Sequence, residues 1–230
     1  MISKIGVLIP SLNPDSKLLD LIVQLRRSFS SVLVVNDGSA IGSEIFDKIR
    51  ELGCNVVCHP TNLGKGAALK TGFKWFLDNA SEIKGIVTAD SDGQHRPEDI
   101  SKVADRLLNV QNGIVLGVRS FTGKVPLRSM FGNSIIRWFF RILTGLSVKD
   151  TQTGLRGIPV ELVPRMLKIS GDRYEYEMRM LADCKFHAIK PIEVDIETIY
   201  IEGNESSHFH PIRDSVKIIS ALIRDKYSRR

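Results

Sequence analysis

Short apolar runs recur through the first half of the chain, and the segments between them carry apolar residues at helical spacing. The runs are residues 5–9, 31–35, 55–58, 85–89 and 113–118. A continuous apolar run of about four to eight residues is typical of a strand buried on both faces of a parallel sheet. Strands that alternate with helices are joined by right-handed crossovers, so the pattern predicts an α/β fold with a doubly wound sheet.

The second half of the chain is less regular. Residues 192–200 alternate apolar and polar side chains, which indicates a strand with one buried face and favours an antiparallel neighbour. We predict helices over 127–145, which is unusually apolar, and over 211–228, which is amphipathic. We therefore expect a mainly parallel sheet with an antiparallel C-terminal addition, in a single domain that spans residues 1–230.

Length and composition are ordinary for a globular protein, with 230 residues, 43% hydrophobic and 25% charged. No apolar stretch reaches the ~20 residues that a membrane-spanning helix needs, and the N-terminus lacks the features of a secretory signal. Cys54, Cys58 and Cys184 have apolar surroundings, so we expect buried thiols in a reducing compartment. The net charge of +6 suits nucleic acid, anionic lipid or a phosphorylated substrate, and composition does not rank them.

An acidic pair stands directly after the apolar run at 85–89. Asp90 and Asp92 are two residues apart, so both side chains can project the same way where the strand ends, with Gln94 as a third oxygen ligand. Carboxylate and amide oxygens suit Mg²⁺ or Mn²⁺ better than zinc. Alternatively, these residues form only a polar turn before the next helix, and this stretch alone does not separate the two interpretations.

Charged residues also follow two other runs. Asp37 comes after the run at 31–35, and Arg119 comes directly after 113–118. In doubly wound sheets, ligands bind beyond the carboxyl ends of the strands. These residues, together with Asp90, therefore favour a binding site at that edge of the sheet.

The segment Gly64-Lys65-Gly66 matches neither of two well-known glycine-rich phosphate motifs. The phosphate-binding loop of nucleoside triphosphatases needs glycine where His59 stands, and serine or threonine where Gly66 stands. The dinucleotide-binding motif needs a glycine where Leu69 stands. A glycine pair with Lys65 before a helix can still lie beside a diphosphate, although a loop with a helix cap is the more ordinary interpretation.

Several motifs, taken in order, resemble those of family 2 glycosyltransferases, which have the GT-A fold. They are Ile9-Pro10-Ser11-Leu12-Asn13, Val34-Val35-Asn36-Asp37-Gly38-Ser39, Asn62-Leu63-Gly64-Lys65-Gly66-Ala67, Asp90-Ser91-Asp92-Gly93-Gln94-His95 with Pro97 after it, and Gly117-Val118-Arg119-Ser120. The sequence most resembles the branch of dolichol-phosphate mannose synthases and polyprenyl-phosphate glycosyltransferases, from residue 5 to about residue 160. One position departs from the family pattern, because Asn36 replaces the first of two aspartates.

The resemblance implies a donor half of the site. The nucleotide sugar would contact Pro10, Asn13, Asp37, Lys65 and Asp90. Asp37 would accept hydrogen bonds from the base or the ribose. Asp90, Asp92 and Gln94 would hold Mg²⁺ or Mn²⁺, and the two aspartates of this set would be the catalytic residues. The ion would neutralise the nucleotide diphosphate and make it a competent leaving group.

The resemblance also implies an acceptor half. Arg119 and Arg128 resemble the arginines that grip a lipid phosphate in this branch, and guanidinium groups suit that anion through bidentate hydrogen bonds. A phosphate monoester is already an anionic nucleophile, so its attack on the sugar needs no general base. Asp150 and Gln152 would close the acceptor side. For any single arginine, a solvated surface charge is the usual alternative.

Two segments predict contact with a membrane surface. The helix over 127–145 contains more aromatic residues than a small core needs, which favours an interfacial helix over a core helix with outward arginines. Its aromatic residues are Trp138, Phe139 and Phe140. The helix over 211–228 is followed by a basic end that can meet anionic lipid, although solvent contact is the default. His208 and His210 lie in a polar loop, where solvent exposure is again the simpler interpretation.

We therefore expect an inverting glycosyltransferase that moves a sugar from a nucleotide-diphosphate sugar to a polyprenyl phosphate of the dolichyl or undecaprenyl type. It would serve cell-envelope synthesis as a peripheral protein on the cytoplasmic face of the membrane. Its partners would be the nucleotide sugar, the lipid phosphate, the membrane surface and a separate membrane protein, but not nucleic acid. The residues leave the sugar and the nucleotide open.

Two alternatives remain. A soluble family 2 transferase would glycosylate a saccharide hydroxyl in cell-surface polysaccharide synthesis, and it would need a carboxylate base, for which Asp150 is the nearest candidate. More distantly, the chain would be a non-catalytic module that binds a sugar nucleotide or a membrane. Turnover and the nature of the labelled product distinguish these from the expected lipid transferase.

Overall fold

The computed structural model describes residues 2–119 and 137–197. Within these ranges seven strands form one sheet in the order β3-β2-β1-β4-β6-β5-β7. The strands are β1 (Ile2–Ser11), β2 (Phe29–Asn36), β3 (Asn55–Cys58), β4 (Gly85–Thr88), β5 (Gly113–Arg119), β6 (Arg156–Pro159) and β7 (Lys190–Ile196). The second half of the chain thus inserts β6 between two strands of the first half.

Helices cover both faces of this sheet. They are α1 (Ser16–Ser28), α2 (Ser43–Glu51), α3 (Lys65–Asn79), α4 (Pro97–Leu107), α5 (residues 137–144), α6 (Val163–Met166) and α7 (Glu175–Phe186), with a 3-10 turn at Val160–Leu162. Asp15 caps α1 by accepting the N–H of Lys17 at 2.9 Å, and Pro97 begins α4. Among the described helices, none is long and apolar enough to cross a bilayer.

The central strand β1 shows why its sequence is apolar at successive positions. Leu8 belongs to the same core cluster as Phe73 and Phe76 of α3, whereas Val7 and Ile9 belong to the cluster on the other face, which α1 and α4 cover. Because both faces of β1 are covered, no position in this run can be polar without cost. The predicted doubly wound sheet is confirmed.

Strand directions also agree with the mainly parallel sheet that was expected. β1 runs parallel to both β2 and β4, and β2 runs parallel to β3. β6 is antiparallel to both of its neighbours, β4 and β5. The antiparallel addition from the second half of the chain is therefore β6.

The antiparallel direction predicted for residues 192–200 is wrong. β7 runs parallel to β5, with Lys190 beside Gly113 and Ile196 beside Arg119. The chain reaches β7 through α7, which returns it to the edge of the sheet where β5 also begins. β7 is an edge strand, so its alternating pattern reflects one partly covered face rather than its direction. Residues 198–200 lie outside the described ranges.

The cysteines differ from the expectation that all three are buried. Cys54 and Cys184 are buried, but Cys58 is exposed. Cys58 is the last residue of the edge strand β3, where the polar surface begins. Burial raises the pKa of the Cys54 thiol, and it raises the pKa of Cys184 to about 12.

We predict that one thiol of the folded protein reacts quickly with a disulfide reagent at about pH 8, because the thiolate is the reactive form and a raised pKa keeps a thiol protonated. Cys58 is the expected fast site, and all three cysteines should react in denaturant. Stopped-flow absorbance with Ellman's reagent measures this. Cys58→Ser should abolish the fast phase. A second fast thiol in that variant would contradict the burial described above.

Candidate active site

The carboxyl ends of β4 and β5 open onto a small polar cleft. Asp90 follows β4, and Arg119 is the last residue of β5. The segment that leads into β6 contributes the floor between them, because β6 lies between these strands. The cleft is lined by Asp90, Gln94, His95, Arg119, Gln152, Thr153 and Gly154. It brings together residues predicted for the donor half and for the acceptor half of one site.

Asp90 is paired through both of its carboxylate oxygens. The Lys65 ammonium lies 2.7 Å from Oδ1, and the His95 Nε2 lies 3.2 Å from Oδ2. Burial opposes ionisation, but the charge of Lys65 and the hydrogen bond of His95 outweigh it and hold the pKa of Asp90 well below its usual range. His95 was noticed in the sequence only as part of the motif, and its contact with Asp90 was not predicted.

Asp92 lies near enough to Asp90 for the two carboxylates to repel each other. Burial raises the pKa of Asp92, and the charge of Asp90 raises it further. The backbone N–H of Gln94 donates to Asp92 Oδ1 at 3.0 Å, so the polar-turn alternative is also realised here. Two repelling carboxylates beside a polar cleft are a donor set that a divalent cation stabilises.

A glycine forms one wall of the cleft beside Asp90. A Cβ atom on Gly154 would lie 2.4 Å from Asp90 Oδ2, so only glycine leaves room for the carboxylate at this wall of the cleft. Within the described ranges, no cluster of three or more His, Cys, Asp or Glu side chains forms a metal site. A site built on Asp90 and Asp92 would therefore need an amide or other oxygen as well, and Gln94 stays the predicted third ligand.

Lys65 is the first residue of α3, and its ammonium is shared by two carboxylates. It lies 2.7 Å from Asp90 Oδ1 and 2.8 Å from Glu177 Oε2. Burial alone would lower the pKa of Lys65, but the two carboxylates outweigh burial and raise it. Glu177, on the first turns of α7, was missed in the sequence, because no local pattern links it to a residue so distant along the chain.

The glycines that flank Lys65 serve close packing. A Cβ on Gly64 would lie 2.3 Å from the carbonyl oxygen of Asp172, and a Cβ on Gly66 would lie 2.6 Å from the Cβ of Tyr176. Gly64 also has a φ of +108°, which disfavours other residues. The loop-and-cap interpretation thus accounts for both glycines, while a diphosphate contact by Lys65 stays a prediction.

Asp37 is 3% exposed and anchors the loop before α3. Its Oδ1 accepts the N–H of Leu63 at 3.0 Å and lies 2.8 Å from His59 Nδ1, and its Oδ2 accepts the N–H of Gly64 at 2.9 Å. The carboxylate therefore fixes the backbone that leads to Lys65. Contact of Asp37 with a nucleotide stays a prediction.

Asn13 joins the loops that follow β1 and β2. Its Oδ1 accepts the N–H groups of Ala40 and Ile41 at 2.9 and 3.3 Å, and its own N–H donates to Ser39 Oγ at 2.8 Å. Pro10 is buried within β1, beside Val35 of β2. Both residues thus shape the loops at this edge of the sheet, and their predicted contacts with a nucleotide are not tested by these bonds.

Arg119 and Asp150 form a bidentate ion pair at the end of the cleft predicted for the acceptor. Arg119 Nε donates to Asp150 Oδ2 at 2.6 Å, and Nη2 donates to Oδ1 at 3.1 Å. Asp150 is fully buried and also accepts the N–H of Gln152 at 3.1 Å. Both oxygens of Asp150 are engaged, and the pair sets the orientation of the Arg119 guanidinium. Arg128 lies outside the described residues.

A second arginine, Arg156, was missed in the sequence. It is 1% exposed, and its guanidinium donates to the carbonyls of Thr153 at 2.8 Å, Thr151 at 3.4 Å and Glu177. It thereby joins the segment before β6 to the start of α7. The sequence signal for Arg156 was a single arginine in the apolar segment around β6. A charge in such a segment is expected to be buried and therefore to need hydrogen-bond partners.

The described part of the predicted interfacial helix, α5, has both a buried and an exposed apolar face. Phe140 is 1% exposed and packs in the core, whereas Trp138 and Ile142 are 59% and 54% exposed. The ring of Trp138 contacts that of Phe139 edge to face. Both proposed roles of the helix are therefore compatible with α5. The remainder of the segment, the 211–228 helix, His208 and His210 lie outside the described residues.

The sequence profile of glycosyl transferase family 2 matches residues 6–157, and the chain belongs to this family. A protein of unknown function from Methanocaldococcus jannaschii is 31% identical over 97% of this chain and 92% of its own length. The UDP-N-acetylglucosamine–dolichyl-phosphate N-acetylglucosaminyltransferase of Methanococcus voltae is 28% identical over 86% of each chain. The polyprenol monophosphomannose synthase of Mycolicibacterium smegmatis is 26% identical over 70% of this chain and 63% of its own. These relatives confirm the resemblance to the polyprenyl-phosphate branch.

A solved structure shows the same fold. Glucosyl-3-phosphoglycerate synthase from Mycobacterium tuberculosis, in complex with Mn²⁺, uridine diphosphate and phosphoglyceric acid, superposes with a TM-score of 0.68. The superposition covers 98% of this chain and 78% of that chain at 19% identity. The GT-A fold expected from the sequence is thereby confirmed.

We predict that Asp37→Ala lowers the free energy of unfolding by about 2–4 kcal/mol, because it leaves buried N–H groups of the loop without an acceptor. Chemical denaturation followed by circular dichroism measures the change. Asp47→Ala is a matched control, since the Asp47 side chain is 70% exposed and its ion pair with Arg50 lies on the surface. Equal stability of the two variants would show that Asp37 does not anchor the loop.

Proposed function

We propose that the protein is an inverting glycosyltransferase that moves a sugar from a nucleotide-diphosphate sugar to a polyprenyl phosphate. The observation that carries this proposal is the shared cleft of Asp90 and Arg119. A carboxylate suited to a metal–diphosphate complex and a guanidinium suited to an acceptor phosphate thus line one space. Relatives named for dolichyl phosphate and polyprenol support the class of acceptor.

On the donor side, Asp90, Asp92 and Gln94 would hold Mg²⁺ or Mn²⁺. Solved structures of the mycobacterial synthase contain one or the other of these ions with uridine diphosphate. When bound, the ion neutralises negative charge on the leaving diphosphate. Lys65 adds a positive charge to this wall of the cleft, and the loop anchored by Asp37 holds the start of α3 in place.

On the acceptor side, Arg119 would orient the lipid phosphate, with Gln152 at the same wall of the cleft. The phosphate brings its own negative oxygen, which attacks the anomeric carbon from the side opposite the diphosphate and so inverts its configuration. Asp150 is already engaged by Arg119, which makes it a poor base for a saccharide hydroxyl. Arg128, outside the described residues, would be the second arginine to contact the phosphate.

The membrane surface would be met by the exposed side of α5. Trp138 and Ile142 are one helical turn apart and both exposed, and Arg141 between them is exposed as well. Aromatic and aliphatic side chains next to a cation are the composition of an interfacial helix on anionic lipid. We propose a peripheral protein on the cytoplasmic face, with a separate membrane protein as a further partner.

Purified protein is expected to transfer labelled sugar from UDP-N-acetylglucosamine, UDP-glucose or GDP-mannose to a polyprenyl phosphate in detergent with Mn²⁺. The product should be a butanol-extractable lipid from which mild acid releases the sugar.

Asp92→Ala should lower turnover roughly 100-fold, because the diphosphate loses its charge stabilisation. Arg119→Lys should raise KM for the lipid about tenfold, since it keeps the charge but loses the bidentate geometry. Arg50→Lys is the matched control on the surface.

The same assay separates the alternatives. Label that enters a saccharide acceptor but no lipid, with every donor, would favour the polysaccharide transferase and refute this proposal. Turnover unaffected by Asp92→Ala would remove the metal-site aspartate from the mechanism. Lipid binding without any transfer would favour the non-catalytic module.

A double variant, Trp138→Ser with Ile142→Ser, tests the membrane surface. We expect its partition onto vesicles of phosphatidylglycerol to fall roughly tenfold, because the interfacial anchor loses its apolar side chains. Co-sedimentation measures the partition. Leu77→Ser is the matched control, since Leu77 is 37% exposed on α3. Equal partition of the double variant and the wild type would show that α5 is not the anchor.

A further inference from the structure

A single ammonium group balances two carboxylates that come from separate elements. Lys65 lies between Asp90, after β4, and Glu177, on α7, at 2.7 and 2.8 Å. The Lys65 side chain is 19% exposed and that of Glu177 is 9% exposed. The interaction is therefore shielded from solvent and stronger than a surface ion pair.

Glu177 is fixed on its own side of this arrangement. Its backbone carbonyl accepts a hydrogen bond from Arg156, and the neighbouring Tyr176 hydroxyl donates to the carbonyl of Met166 at 2.9 Å. Its second carboxylate oxygen, Oε1, is buried and has no hydrogen-bond partner among the described residues. The carboxylate can therefore accept one more hydrogen bond from an ammonium than it does here.

Both carboxylate oxygens of Asp90, in contrast, already have a partner. Oδ1 is engaged by Lys65, and Oδ2 is engaged by His95. A divalent cation on Asp90 competes with these groups for the carboxylate, and it repels the positive charge of Lys65. Because Glu177 Oε2 is already 2.8 Å from the ammonium, Lys65 can leave Asp90 without losing its second carboxylate.

We propose that Lys65 is the resident counter-ion of Asp90 when no metal is bound, and that Glu177 is the positioning residue that retains the ammonium when a divalent cation takes its place. The inference rests on the metal site of the proposed function. It gives the two residues opposite effects on metal affinity. Lys65 competes with the metal for Asp90, whereas Glu177 draws the competitor away and adds negative charge nearby.

The test is Mn²⁺ binding in the absence of donor, measured on the full chain by electron paramagnetic resonance of the free ion. Lys65→Met should lower the dissociation constant for Mn²⁺ roughly tenfold, and Glu177→Gln should raise it roughly tenfold. The double variant should stay close to the Lys65→Met value, because Glu177 acts mainly through the ammonium that Lys65→Met removes. Lys70→Met and Glu175→Gln are matched controls on the same two helices and should leave the constant unchanged.

Several outcomes would overturn the inference. Unchanged constants in both variants, or weaker binding in both, would show that the ion pair only supports the fold. Glu177→Gln is nearly isosteric and decides the question alone if Lys65→Met does not fold, as judged by circular dichroism. No Mn²⁺ binding by the wild type would overturn the metal site and this inference together. If the protein makes the lipid product but the two variants leave the Mn²⁺ dissociation constant unchanged, the inference about Lys65 and Glu177 fails and the proposed function stands. If the variants shift the constant but no lipid product forms, the proposed function fails and the inference stands.

Discussion

The wall of the cleft around Asp90 depends on one partly buried ammonium group. Lys65 links α3 to the loop after β4 and to α7, and the two carboxylates it binds compensate the cost of taking these charges out of water. The glycines beside Lys65 allow α3 and the segment before α7 to approach closely enough for this contact. The position of Asp90 is therefore set by helix packing as well as by the strand that carries it.

A second cation, which is fully buried, shapes the wall of the cleft that carries Arg119 by another means. Arg156 donates to three backbone carbonyls, so it fixes the segment before β6 through its hydrogen bonds rather than through a carboxylate. Asp150 at the start of that segment then orients Arg119 across the cleft. The side chain of Glu177 contacts Lys65, and its backbone carbonyl accepts a hydrogen bond from Arg156. Both walls of the cleft are therefore attached to the same turn of α7.

The sequence predicts those features that local patterns determine. Apolar runs covered on both faces identify the parallel strands, and acidic residues at their ends identify the edge where the cleft lies. The alternation of apolar and polar residues in β7 predicts that one face of the strand is covered. It does not predict whether the strand runs parallel or antiparallel to its neighbour. Glu177 and Arg156 were missed because their roles come from contacts across the fold. The pairing of Arg119 with Asp150 was missed for the same reason, although both residues were named.

The position of β6 has a consequence for how the chain is made. Among the described strands, β5 pairs only with β6 and β7, so it has no neighbour in the sheet until residues beyond 155 have left the ribosome. Strands β1 to β4 can associate earlier, since their pairings lie within the first part of the chain. Until then β5 has no strand to pair with, and Arg119 at its end lacks Asp150 as a partner. The strand ends that carry Asp37 and Asp90 can thus take shape during synthesis, whereas the wall that carries Arg119 and the contact of Lys65 with Glu177 form only when the later residues arrive.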